Sequence, residues 1–295
     1  MKKTTKLYLS EVLLSLVVVV MVVGANTVFF DGWSNAYSSV TGSSKTTPDK
    51  TFLTSSFTKT GAANIYTRDC TVTAGKATTK QKLTSDEQAE VDYFNSAVPK
   101  FKVRTIATIN GKDMKIFTSK EKTNVDGTTS AKFYIDSKGV YYPSDKIGTW
   151  KGFYNKDSID TIFTLLLAED VTTYFEKIMK FVKWETVGKT RSAVYSGKLN
   201  ADGNSDLIGS AFGSSMVDRQ DIATVKLYVD EKTQLWSKYE TTISKLKSGK
   251  VTFPLKGVCK MIYGNAVKIN IPTSIEWVDE AIGNEDMINL INSVQ

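Results

Sequence analysis

Lys132-Phe133-Tyr134-Ile135 and Val140-Tyr141-Tyr142, with Asp136-Ser137-Lys138-Gly139 between them, decide the fold. Aromatic and β-branched runs on either side of a turn rich in Asp, Ser and Gly make an antiparallel hairpin. The pattern continues upstream: Lys102–Ile109 alternates, Asn110-Gly111 is the strongest short hairpin signal, and Met114–Ile116 returns. Asn124-Val125-Asp126-Gly127 makes a further turn. Residues 101–152 therefore read as four or five antiparallel strands in chain order with one apolar face.

Around this meander the pattern changes. A strand-like stretch at 62–73 precedes a helix that Ser85-Asp86-Glu87-Gln88 opens as a capping box and that runs toward Ala97 before Pro99. After the meander, Asp157-Ser158 caps a helix whose Ile159, Ile162, Phe163, Leu165, Leu166 and Leu167 cover most of its circumference, and Val171–Val182 extends a second one. Helices apolar on more than one side are buried on more than one side or line a cavity. A short apolar helix follows at Asp206–Met216, with glycines and serines that permit close approach. Strands are expected at 193–199, at 224–229 turning through Asp230–Thr233 into 235–239, and at 258–263 and 267–271 around Gly264-Asn265. The last stretch, with Asn284-Glu285-Asp286 ahead of Met287, Ile288, Leu290 and Ile291, closes the chain as an amphipathic helix.

The N-terminus carries Lys2, Lys3 and Lys6 before an apolar run from Val12 to Ala25, the length of a signal-peptide core. Val23-Gly24-Ala25 is a candidate cleavage site. Because apolar residues resume at Val28-Phe29-Phe30, residues 1–30 read either as a cleaved signal peptide or as a retained membrane anchor. Leu7-Tyr8-Leu9-Ser10-Glu11 resembles the start of type IV pilin-like proteins, although Lys6 stands where those proteins are cut after glycine. Residues 31–50, rich in Ser and Thr, are expected to be a linker, and 51–295 a single domain.

Composition narrows the function. The chain has 295 residues, 41% hydrophobic and 23% charged, and a formal charge of +7. These proportions describe an ordinary folded protein, with scattered lysines suited to anionic headgroups or cell-wall polymers and a compartment where nucleic acid is not expected. There is no histidine, which excludes Ser-His-Asp, Cys-His and histidine-based zinc chemistry. Carboxylates at Glu169-Asp170, Asp218 with Asp221, and Glu276 with Asp279-Glu280 are the only enzymatic chemistry on offer, and no spacing sets them across a cleft. No enzyme activity, cofactor or metal site is expected. Cys70 and Cys259, on strands at the two ends of the domain, are expected either to bridge in an oxidising compartment or to be buried free thiols. Thirteen tyrosines and the hydroxyl-rich tether also fit a surface-interaction or pilus-like assembly protein without a small-molecule ligand.

The order of meander, apolar helical middle and further antiparallel strands resembles the LolA/LppX-type (LppX/LprAFG-like) superfamily of exported lipid carriers. The matching stretches are Tyr134–Tyr142 followed by Gly148-Thr149-Trp150-Lys151, the strand-turn-strand Val225–Tyr239 with Asp230 at its turn, and Ile269-Asn270-Ile271-Pro272. The chain lacks the lipobox cysteine of the lipoprotein members. The resemblance implies an α+β fold in which a strongly curved antiparallel sheet forms an open half-barrel with helices packed on its concave face. It further implies an exported or membrane-associated, non-catalytic protein that binds a lipid or other hydrophobic ligand, with a cell-envelope protein as a further partner. The ligand contacts would be Phe163, Leu166, Leu167, Phe175, Met179, Ile208, Phe212 and Met216.

Overall fold

The computed structural model describes residues 47–63, 65–96, 98–110, 113–124, 126–154, 178–199, 223–248, 250–264, 269 and 272–293. Twelve strands form one sheet: β1 (Ile65–Ala74), β2 (Lys100–Asn110), β3 (Asp113–Asn124), β4 (Gly127–Asp136), β5 (Gly139–Pro143), β6 (Trp150–Phe153), β7 (Lys180–Val187), β8 (Thr190–Leu199), β9 (Ala223–Asp230), β10 (Trp236–Ser248), β11 (Val251–Tyr263) and β12 (Ile275–Trp277). Their order is β12-β6-β5-β4-β3-β2-β1-β11-β10-β9-β8-β7, so the sheet is open, with β12 and β7 as its edges. Among the described strands only the β12–β6 pair is parallel.

The order shows how the sheet is built. Two meanders, β2–β6 and β7–β11, are each antiparallel and local in sequence, and β1 pairs with both β2 and β11 to join them into one sheet. Turns are set by short-range chemistry. Asp136 Oδ1 accepts from the backbone N–H of Lys138 and Gly139 and from the Tyr141 hydroxyl, at 2.8, 3.2 and 3.1 Å. Asp230 Oδ1 holds the N–H groups of Lys232 and Thr233 at 2.8 and 2.7 Å. Gly127 sits at φ 118°, a backbone state that favours glycine. Cys70 stands directly opposite Cys259 across the β1–β11 pair and the two are joined by a disulfide at the seam between the meanders.

Among the described residues three helices, α1 (Lys50–Gly61), α2 (Ser85–Ser96) and α3 (Glu280–Ser293), dock on one and the same face. Phe57 of α1 meets Trp236 edge-on at 4.9 Å between centroids, and Phe52 meets Trp184 at 6.1 Å. Phe94 of α2 lies 5.5 Å from Phe253. On α3, Asp286 accepts from Tyr142 at 2.8 Å and from Lys151 at 2.7 Å, and Gly283 lies where a Cβ would collide with the Phe153 ring. By strand register Trp184, Trp236, Phe253, Tyr142, Lys151 and Phe153 all project to that face.

Several sequence expectations are corrected. Residues 50–61, divided between the linker and the approach to the first strand, are helix α1: Asp49 caps it by accepting from Phe52 N–H at 2.9 Å. The capping box of α2 is Thr84 with Glu87, one residue upstream of the expected pair: Glu87 accepts from Thr84 N–H at 2.8 Å and donates its own N–H to Thr84 Oγ1 at 3.2 Å. Lys180-Phe181-Val182 opens β7 and does not end a helix. The C-terminal hairpin is longer than expected: β10 and β11 run thirteen residues each and turn between Ser248 and Val251. Val267 and Ile271 lie outside the described residues, and Ile269 is not in a strand. Finally, α3 begins at Glu280, four residues before the expected start, and the short strand β12 precedes it.

Candidate functional site

The face that carries the helices has two parts of different chemistry. On β8–β11 it is hydrocarbon and aromatic: Ala193, Tyr195, Val225, Leu227, Tyr239, Ile243, Leu246, Phe253 and Leu255 are all buried there. Strand pairing aligns them across four strands, and Phe181 of β7 extends the field with edge-on ring contacts at 5.9 Å to Trp184 and to Tyr195.

On β1–β4 the same face continues the apolar cluster with Tyr66, Val72, Phe101, Val103, Ile116 and Ile135, and adds a polar row. Register places Arg68, Thr105 and Thr118 side by side on β1, β2 and β3, and Arg68 Nη2 donates to Thr105 Oγ1 at 3.5 Å. Next along β3 stands Lys120, between Val103 of β2 and Ala131 of β4. Lys120 is 4% exposed, with its ammonium 5.5 Å from the centre of the Phe101 ring. Burial pushes the Lys120 ammonium down to about 8, and neighbouring Lys122 pushes in the same direction.

Alternation explains the sign of this surface. Asp69, Glu121, Asp136, Glu185, Asp230 and Glu240 all have the parity of the opposite face. Among the described residues of β1–β11, no Asp or Glu falls on the helix-bearing face, whereas Arg68, Lys120, Lys122, Lys151 and Arg191 do. Carboxylates reach some of these cations from outside the strands, as Asp126 acts on Lys122. Lys151 pairs with Asp286 of α3 at 2.7 Å and Arg191 with Glu231 at 2.7 Å. Lys151 and Tyr142 hold the Asp286 carboxyl below its ordinary range by hydrogen bonding, Lys151 most strongly.

Of the residues expected to contact a ligand, Met179 is described: it is buried in the core cluster at the entry to β7. Phe163, Leu166, Leu167, Phe175, Ile208, Phe212 and Met216 lie outside the described residues. So do Glu169-Asp170 and Asp218 with Asp221, while Glu276 lies on the edge strand β12, 3.7 Å from Lys146. The polar row was not among the sequence candidates. Its signal is in 114–122: once Ile116 is taken as inward, Thr118, Lys120 and Lys122 are inward too. Among the described residues there is no group of three Cys, Asp or Glu placed to hold a metal ion, and no helix is long and apolar enough to cross a membrane.

No family model matches the chain, and no curated protein matches it. Solved structures do align. LprF from Mycobacterium bovis aligns at 9% identity over 76% of this chain and 97% of its own, with a TM-score of 0.44. The lipoprotein LppX from Mycobacterium tuberculosis aligns at 10% identity over 75% and 97%, with a TM-score of 0.41. The LolA superfamily protein NE2245 from Nitrosomonas europaea aligns at 5% identity over 76% and 97%, with a TM-score of 0.24.

Proposed function

We propose that this chain is an exported, membrane-tethered or secreted carrier of the LolA/LppX type, which holds a lipid or other hydrophobic ligand against the helix-bearing face of its sheet and performs no covalent chemistry. One observation carries the reading: an open sheet of twelve strands places its core cluster on one face, and the three helices among the described residues pack against that face. The chain order adds support. β6 lies one strand from one edge and β7 is the opposite edge, and the sequence between them is residues 154–179. That stretch contains Phe163, Leu166, Leu167 and Phe175, which with Ile208, Phe212 and Met216 are the proposed ligand contacts. Holding a ligand this way is passive: each buried methylene contributes about 0.8 kcal/mol. The N-terminal apolar segment supplies export and, if retained, a tether to the membrane.

Native mass spectrometry with organic extraction, on the full chain recovered from the cells that make it, tests the reading. A lipid or other apolar molecule at one copy per chain is the expected result. Ligand-free protein that also ignores added lipid would overturn it in favour of a tethered surface-interaction module.

A further inference from the structure

Lys120 is a buried cation on a surface to which the surrounding strands contribute no carboxylate. Its neighbours in the register, Val103 and Ala131, are apolar, and its one described partner is the Phe101 ring. An ammonium in such a place is costly unless an anion or water reaches it. Alternation sends the acids of β1–β11 whose side chains are described to the other face, and Lys151 and Arg191 draw their carboxylates from a helix and a turn. Beside Lys120, Thr118 and Thr105 add hydroxyl groups and Arg68 a guanidinium, so the row is rich in donors. Across β1 the same face becomes the hydrocarbon field of β8–β11.

From this juxtaposition we infer that the carried ligand is an amphiphile with an anionic group, a carboxylate or a phosphate, which Lys120 receives in the Arg68–Thr105–Thr118 row while the chains lie along the apolar part of the face. The inference rests on the carrier reading and adds the ligand's charge and orientation to it. It also gives the cationic row a function that a plain hydrocarbon core does not need.

The test uses the full chain, released from detergent in the mass spectrometer after incubation with equimolar pairs: oleic acid against methyl oleate, and dioleoyl phosphatidic acid against dioleoylglycerol. Each pair shares its chains and differs in charge. The expected result is a preference of about tenfold or more for the anion in at least one pair, the magnitude of a charge-assisted contact, and the preferred pair names carboxylate or phosphate. In Lys120→Met the preference falls to near one while the neutral partner still binds; in Lys120→Arg it persists. Binding that ignores charge in the wild type, or a preference that survives Lys120→Met, overturns the inference and leaves the carrier reading standing. Failure of all four probes to bind the folded chain overturns the carrier reading and this inference with it.

Discussion

The two meanders that β1 joins are alike in topology and unlike in what they bury. On β8–β11 the helix-bearing face is hydrocarbon and rings, part of it covered by helix α1, where Phe57 meets Trp236 edge-on. On β1–β4 the same face adds Arg68, Thr105, Thr118 and Lys120, all buried, to its own apolar residues. The two regions therefore differ in what burial costs them. The apolar meander supplies the free energy of burial, and the polar one gives up some stability to keep donors out of bulk water.

Three measurements break or sharpen that contrast. The largest effect is expected on the apolar side. Phe253→Ala removes a side chain that is 1% exposed and packed on Phe94 of α2, and should lower unfolding free energy by about 3–5 kcal/mol. Chemical denaturation reads it, and a loss under 1 kcal/mol would mean that this side is not a packed core.

Lys120→Met should do the reverse and stabilise the ligand-free protein near neutral pH. The sign follows from the direction of the shift: a lysine held at about 8 when folded and near its usual 10.5 when unfolded binds its proton less well in the native state. Its presence is therefore destabilising below pH 8, and the penalty fades as pH rises from 8 toward 10.5. The stability difference between variant and wild type should narrow by about 3 kcal/mol across that window. Buried tyrosines such as Tyr66, raised by burial to about 12, act on both proteins alike and cancel in the difference. A constant difference would show that Lys120 is solvated.

The smallest effect belongs to the margin of the polar side. Asp286 has a folded pKa held below its ordinary value by Lys151 and Tyr142, so its contribution is present above the unfolded carboxylate pKa and is lost as pH falls through the folded one. Asp286→Asn should cost about 1 kcal/mol at pH 7, a figure kept small because the pair is about a third exposed. The difference from wild type should vanish in acid, and a pH-independent difference would mean that packing of α3 on Tyr142 and Phe153, not the charge, is what the residue supports.

Much of the strand pattern was readable because β-hairpins are local: Asn124–Gly127, Asp136–Gly139 and Asp230–Thr233 carry their turn chemistry within four residues. What was missed follows from side chains whose role depends on distant partners. α1 is rich in serine and threonine and looks like linker, yet Ser56 and Thr60 are fully buried because Trp236 uses them: its indole N–H donates to Ser56 Oγ at 3.3 Å and its backbone N–H to Thr60 Oγ1 at 3.1 Å. The β10–β11 hairpin is masked in sequence by a register shift between Ile243 and Leu246, which interrupts the alternation. The polar row of the candidate site was hidden for a related reason, since lysines in a strand ordinarily face water.

The sequence by itself determined the strand meander, its turns, the absence of histidine chemistry and the apolar character of the segments expected to meet a ligand, because each depends on residue type and near neighbours alone. Only the tertiary structure decided that β1 sits between the two meanders, that Cys70 faces Cys259, and that Lys120 is inside while the acids of the surrounding strands whose side chains are described are outside. Those facts depend on which strand lies beside which, and that is set by burying one shared face across residues more than a hundred positions apart.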